Sequence, residues 1–77
     1  MLDLRCAYLQ EADLQGIDFQ EVNLEGANLQ EANLDGANLR GANFLYARLQ
    51  GADLSFADLR GALLYGANFS FPMFTFM

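Results

Sequence analysis

The stretch Gly26–Arg40, which reads GANLQ EANLD GANLR, contains the rule that governs the whole chain. Each five-residue unit presents a small residue, then Asp or Asn, then Leu or Phe, then a polar residue, then Gly or a variable residue. Outward from this stretch, every fifth residue from Leu4 to Phe74 is Leu or Phe without a break. All eleven alanines lie two residues before such a position. An unbroken period of this kind predicts a repeat architecture.

A period of five excludes an α-helix, whose faces recur every 3.6 residues, and a sustained strand, whose faces recur every two. The three residues from the small position to the Leu/Phe position resemble a short strand fragment whose first and last side chains point inward. The next two residues of the unit resemble a turn. All seven glycines lie two places after the large residue, where a type II turn needs a positive φ. Because Gly16, Gly26 and Gly36 alternate with glutamates at this place, the sequence predicts two alternating turn types.

Four units that each turn one corner in the same sense close a square, so the pattern predicts an all-β solenoid. Coils of about 20 residues would stack at about 4.8 Å. The undiluted units Gly26–Gln30 and Gly51–Ser55 resemble the pentapeptide-repeat family. The resemblance covers residues 2–76 and implies a right-handed quadrilateral parallel β-helix with the small and large residues inside. Fifteen units on four faces predict between three and four coils and a single domain, 1–77.

The charge balance limits the kinds of partner. The chain has ten acidic residues and four arginines, with no lysine or histidine, which gives a formal charge of −6. This sign removes the phosphate neutralisation on which nucleic-acid affinity depends, so no nucleic-acid partner is expected. No apolar run exceeds four residues, so no membrane partner is expected, and the first residues do not resemble a secretory signal. These features favour a cytoplasmic location.

The chain has few residues that carry catalysis. Histidine, lysine and a Cys-x-x-Cys pair are absent from the sequence, and no serine or threonine has a base in its own unit. The one cysteine, Cys6, cannot close an internal disulfide and falls at an outward corner. We therefore expect no catalytic residues, no cofactor and no metal site, and the chain is predicted not to be an enzyme.

Residues 20 apart should stack along the solenoid, which defines columns of polar side chains on the outside. Stacked amides can form hydrogen bonds along the axis, as they do in cross-β ladders. Like charges are predicted to stack at Arg40 over Arg60 and at Glu11 over Glu31, at a cost of a few tenths of a kcal/mol each. The predicted polar columns are Gln10, Gln30 and Gln50; Asp13, Asn33 and Asp53; and Asp18, Asn38 and Asp58.

The two halves of the chain differ in charge and in outward apolar residues. Residues 1–44 carry eight acids and two arginines, whereas residues 45–77 carry two of each. Nearly all large apolar residues at outward positions fall in the second half. Contiguous exposed apolar area on a small protein usually marks an interface. The candidate partner surface comprises Leu45, Tyr46, Leu63 and Tyr65.

The segment 69–77 forms an uncharged, apolar C-terminal end. Pro72 takes the place of the small residue and lacks the N–H that a ladder uses, so it is expected to terminate the repeat. The apolar residues could fold over the last coil as a lid, but we favour a two-fold homodimer that removes two hydrophobic ends at once. The candidate dimer end comprises Phe71, Met73, Phe74, Phe76 and Met77.

Two classes of function follow from these observations. The first is a non-enzymatic structural or protein-interaction module. The second is implied by the resemblance: some acidic pentapeptide-repeat proteins mimic duplex DNA and bind a type II topoisomerase such as gyrase. Those mimics are longer dimeric rods, and here the acids of the first half are spread over all four faces. The sequence therefore favours the interaction module.

Overall fold

The computed structural model describes residues 1–69. Within this range the chain forms isolated parallel β-bridges between residues 20 apart, separated by turns, rather than continuous strands or helices. One column of bridges joins Asp3, Asn23, Asn43 and Leu63. The bridging residue is the Asp/Asn position of each unit, and a turn follows every one of them. Four sides and 20 residues per coil confirm the predicted stacking; the number of coils in the whole chain stays a prediction.

The backbone hydrogen bonds explain why a five-residue unit is stable. In the unit Ala27–Glu31, the first N–H donates to the carbonyl that closes the preceding turn, the second donates to the coil before and the third to the coil after, at 2.7–2.9 Å. The fifth N–H pairs with the next coil. The fourth donates to Oδ1 of Asn28 at 3.1 Å. Every N–H of the unit therefore has an acceptor, as buried backbone requires.

The recurrent Asp or Asn thus has a structural role that the sequence analysis did not identify. Its Oδ1 accepts the N–H two residues later in ten units, at 2.9–3.3 Å. This is the side-chain-to-backbone bond that favours Asp and Asn in turns. Only residues with a short acceptor side chain can make it, which accounts for their recurrence at this position.

The corners correct the prediction of two alternating turn types. Six non-glycine residues and seven glycines occupy the third turn position, and all have φ between 59° and 75°. Each of the thirteen turns also has a hydrogen bond from the N–H of its fourth residue to the carbonyl of its first. Glutamate, cysteine, tyrosine and phenylalanine therefore adopt the same left-handed conformation as glycine. The glycine spacing does not mark a second turn type.

Packing along the axis gives a separate reason for several glycines. The side chain at a corner leans towards the next coil and lies against the residue 20 positions later. A Cβ at Gly26 would come within 3.3 Å of Cys6 Sγ, whereas a Cβ at Gly36 would meet nothing within 4 Å. Four glycines receive such a side chain: Gly26 from Cys6, Gly41 from Glu21, Gly51 from Glu31 and Gly66 from Tyr46.

The core consists of the small and large positions, as predicted. Sixteen of these residues, from Phe19 to Ala57, are buried, and Leu34 and Phe44 have no exposed surface. Towards both ends of the described chain, residues at the same positions of the unit are less buried. Leu2 is 53% exposed and Leu64 is 39% exposed, although their place in the unit is inward. Burial therefore depends on having a coil on both sides as well as on the place in the unit.

Candidate functional site

The predicted partner surface forms one patch at one corner of the solenoid. Leu45 and Tyr46 belong to the corner that follows Asn43, and Leu63 and Tyr65 lie one coil further along. Tyr46, Leu63 and Tyr65 are exposed, and Leu45 is half-buried. We call these four residues the corner patch. The structure thus brings together side chains that the sequence predicted to be neighbours.

The two tyrosines of the corner patch contact each other. Their ring centroids lie 5.8 Å apart with an interplanar angle of 82°, an edge-to-face arrangement. The ring of Tyr46 also lies over Gly66, where a Cβ would collide with it. The Tyr46 N–H donates to the Tyr65 carbonyl at 3.1 Å, which fixes the two corners relative to each other. The aromatic pair is therefore held in place by the backbone and by a neighbouring glycine.

Phe56 is a further exposed aromatic residue, at 76% exposure, that the candidate surface did not include. It occupies a different corner, between the bridging residues Asp53 and Asp58, and has φ of 60°. The combination of outward place and aromatic type was visible in the sequence. Phe56 lies at a corner of the coil away from the corner patch and serves below as a matched control.

The predicted C-terminal dimer end, with Phe71, Met73, Phe74, Phe76 and Met77, lies outside the described residues. Within the described range, the core positions nearest that end are less covered than those of the middle coils. Leu59 and Phe69 are half-buried, whereas Leu39 has no exposed surface.

The polar face around Asp58 differs from the predicted like-charge stacking. Asp58 accepts two hydrogen bonds from the Arg60 guanidinium, at 2.7 and 2.9 Å, and Arg40 Nε lies 3.8 Å from the same carboxylate. Arg40 also donates to Gln20 Oε1 at 3.4 Å. The expected repulsion of Arg40 and Arg60 is therefore offset by a carboxylate between them.

Hydrogen bonding along the columns occurs as predicted in one of them. Asn38 Nδ2 donates to Asp18 Oδ1 at 3.2 Å across one coil spacing. In the glutamine column, by contrast, Gln50 Oε1 is buried without a hydrogen-bond partner among the residues described. The dominant partner of the Asp and Asn side chains is their own backbone, two residues later, and not the next coil.

We predict that Asp58 titrates well below an ordinary aspartate. The hydrogen bonds from Arg60, with a smaller Coulombic contribution from Arg40, lower the pKa of Asp58 to about 2. Because the folded-state pKa is depressed, the pairing contributes fully to folding stability above pH 3.8, the ordinary pKa of an aspartate. This contribution is lost as the pH falls towards 2. NMR titration of the carboxyl carbon measures it.

Arg60→Gln should raise the Asp58 midpoint towards its ordinary value, and Arg40→Gln should raise it less. Equal midpoints in the wild type and Arg60→Gln would contradict the pairing.

Across residues 1–69 no group of three or more His, Cys, Asp or Glu side chains is placed to hold a metal ion. Cys6 is exposed and not in a disulfide. In the same range, no helix has the length and apolar character needed to cross a bilayer.

Comparison with known proteins identifies the repeat. The family model described as pentapeptide repeats matches residues 3–41 and 42–71 in eight copies. It describes a structural repeat, and no catalytic family is indicated. No curated protein matches the chain.

Solved structures of pentapeptide-repeat proteins resemble this fold closely. One from the thylakoid lumen of Arabidopsis thaliana has a TM-score of 0.82 and 43% identity, covering 84% of this chain and 45% of its own. One from the cyanobacterium Cyanothece 51142 has a TM-score of 0.80 and 38% identity, covering 92% and 52%. A third, from Nostoc PCC 7120, has a TM-score of 0.59 and 39% identity, covering 84% and 62%.

This chain therefore spans about half the length of the first two relatives. Such proteins are known as right-handed quadrilateral β-helices, in agreement with the four-sided coil and its bridges between residues 20 apart. With the repeat model matched over nearly the whole chain, the chain belongs to the pentapeptide-repeat family.

Proposed function

We propose that this chain is a non-enzymatic protein-interaction module that binds its partner through the corner patch. The observation that carries the proposal is the exposed Tyr46–Tyr65 pair, which lies beside exposed Leu63 in the half of the chain that has no net charge. Aromatic residues contribute much of the energy at protein interfaces because they bury a large area at low entropic cost. The regular solenoid serves as a rigid support for them.

The corner patch can be tested with variants that leave the core intact. Wild type, Tyr46→Gly with Tyr65→Ser, and the control Phe56→Gly are immobilised and exposed to extract of the source cell. A protein retained by the wild type and the control, but lost with the double variant, supports the proposal. Identical sets of retained proteins on all three would refute a role for the corner patch.

The alternative function is inhibition or protection of a type II topoisomerase by mimicry of DNA. The structure supplies one argument against it: Asp3 and Asp58, two of the ten acids, are paired with arginines at 2.9 and 2.7 Å. Such pairs weaken the negative potential that a DNA mimic needs.

We predict that micromolar protein leaves gyrase supercoiling activity unchanged. Inhibition that disappears when Asp13, Asp18, Asp53 and Asp58 are replaced by asparagine would establish the alternative.

We further propose that the chain, as a single domain of residues 1–77 in the cytoplasm, forms a homodimer through its C-terminal end. Support comes from the incomplete burial of Leu59, Leu64 and Phe69 near that end. A second chain would cover these residues and enlarge a core that is small for independent stability.

Sedimentation equilibrium at tens of micromolar should give twice the mass of 8.5 kDa for the wild type and 8.5 kDa for Phe71→Glu with Phe76→Glu. A well-folded wild-type monomer would contradict the homodimer and favour the alternative, in which the apolar C-terminal residues fold over the last coil as a lid.

A further inference from the structure

The first coil, residues 2–21, leaves one backbone N–H unused on each of its four sides. From the second coil onward, the N–H of the Asp/Asn position donates to the coil before it, as Asn23 does to the Leu2 carbonyl at 2.9 Å. In the first coil the corresponding N–H groups have no acceptor within residues 1–69. They belong to Asp3, Tyr8, Asp13 and Asp18. Unpaired backbone groups at a sheet edge are a template for pairing with another chain.

The last described sides of the solenoid, residues 62–69, present the complementary groups. Elsewhere the N–H groups of the large residue and of the corner residue donate to the next coil, as those of Leu4 and Cys6 do at 2.8 and 2.9 Å. Towards the C-terminal end such groups have no partner within residues 1–69. The unused groups include the N–H groups of Leu64 and Gly66 and the carbonyls of Ala62 and Ala67. The two ends therefore carry opposite halves of one hydrogen-bond pattern.

The inward apolar positions match in the same way. Leu2 and Leu64 are exposed although their place in the unit is inward, because each lacks a coil on one side. With the repeat continued at 20 residues per coil, Leu4 of a second copy stacks on Leu64, and Leu2 of that copy stacks on Ala62. Each end of the solenoid then supplies the apolar cover that the other lacks.

The corner of Gly66 also fits such a continuation. At this corner the side chains of Cys6 and Tyr46 each lie against a glycine of the next coil, Gly26 and Gly66. Gly66 itself has no side chain to place against a following coil. A coil that begins the series again with Cys6 therefore continues the alternation of bulky residue and glycine across the joint.

We propose that the first coil of a second copy stacks on the C-terminal end of this chain, so that the β-helix continues from one chain into the next. The Asp3 N–H of the second copy donates to the Ala62 carbonyl, and its Tyr8 N–H donates to the Ala67 carbonyl. The Leu64 N–H donates to the Asp3 carbonyl of the second copy. The inference rests on the proposed homodimer and names the surface with which the second chain covers the C-terminal end.

This head-to-tail contact differs from the two-fold contact that the sequence favoured. A contact between two C-terminal ends leaves the first coil of both chains unpaired. A contact between two first coils stacks like charges, because residues 2–21 carry five acids and one arginine. Residues 59–69 carry Arg60 and no acid, so the head-to-tail contact places the acidic coil against sides without negative side chains.

The experiment traps the contact with cysteines at stacked positions of the full chain, in a Cys6→Ser background. Tyr8 of the second copy stacks on Asn68 at about 4.8 Å, a spacing that a disulfide can bridge. One chain carries Tyr8→Cys and another Asn68→Cys. Under a mild oxidant we expect a linked dimer from the mixture and none from either chain alone. Gln15→Cys, on another side of the first coil, is the matched control and should not link to Asn68→Cys.

A chain that carries both Tyr8→Cys and Asn68→Cys should give a ladder of multiples of 8.5 kDa, because a head-to-tail contact does not close on itself. A ladder that is absent, or equal linking by Gln15→Cys, would overturn the inference.

Tyr8→Pro tests the hydrogen bond across the joint. Proline removes an N–H that the chain itself does not use, whereas Tyr8→Ala removes the same exposed side chain and keeps the N–H. We expect Tyr8→Pro to associate about tenfold or more weakly than Tyr8→Ala in sedimentation equilibrium. Thermal unfolding of dilute protein checks that both variants are folded. Equal association of the two folded variants would contradict the pairing.

The outcomes separate this inference from the proposed homodimer. A wild-type dimer in sedimentation, with no disulfide from the mixture of Tyr8→Cys and Asn68→Cys, leaves the homodimer standing and overturns the head-to-tail contact. A wild-type monomer with no disulfide from the mixture overturns both.

Discussion

Leu34→Ala should lower the free energy of unfolding by about 2–5 kcal/mol, the range for truncating a buried leucine. Leu34 has no exposed surface and lies in a middle coil; Ala32 and Ala37 beside it in the sequence and Leu54 one coil later are buried, and Leu14 one coil earlier is partly buried. The rigid ladder on both sides prevents collapse of the cavity, so the upper part of the range is expected. Leu39→Ala should behave in the same way for the same reason.

Chemical denaturation of Leu34→Ala measures this effect, with two controls. Gln30→Ala, in an outward position, should be close to neutral. Leu4→Ala replaces the same type of residue where it is only half-buried, and its loss should be smaller than that of Leu34→Ala. Equal midpoints for Leu34→Ala and Gln30→Ala would contradict the inward assignment of the large position.

Gly66→Ala should lower the free energy of unfolding by about 1.5–3.5 kcal/mol. About 1–2 kcal/mol comes from placing a Cβ at positive φ. The remainder, about 0.5–1.5 kcal/mol, is the loss of the Tyr46–Tyr65 contact, because the new Cβ forces the Tyr46 ring away. Gly36→Ala, where a Cβ meets nothing within 4 Å, should lose only the backbone contribution.

A double-mutant comparison isolates the ring contact. In a Tyr46→Gly background, Gly66→Ala should cost no more than Gly36→Ala does, since no ring lies above it. If Gly66→Ala costs the same with and without the tyrosine ring, the axial packing of one corner on the next is not a source of stability.

The repeat period alone was enough to predict the coil length, the inward positions and the neighbours of the corner patch. These follow from a fixed spacing of five, because each of the thirteen described turns is closed by the same backbone hydrogen bond. The period could not predict the exposure of Leu2 or Leu64, because burial at an inward position also needs a coil on each side.

The corners were the main error, and its cause is physical. The alternation of glycine with glutamate was interpreted as two backbone conformations, yet Glu11, Cys6 and Tyr46 adopt the same positive φ as glycine. Each corner has the same turn hydrogen bond, and these bonds together with the ladder outweigh the strain of one residue. The position of a glycine in this chain reflects, in several cases, the side chain one coil earlier. A single unit examined alone cannot show that dependence.

The one-directional lean of corner side chains limits how such a solenoid can grow by gene duplication. At one corner the occupants alternate as Cys6, Gly26, Tyr46 and Gly66, so that each side chain meets a glycine. Copying the coil of Tyr46 alone would place tyrosine on tyrosine, whereas copying two coils together would preserve the alternation. A coil with a bulky residue at this corner can therefore be duplicated without rearrangement only together with the glycine coil that receives its side chain.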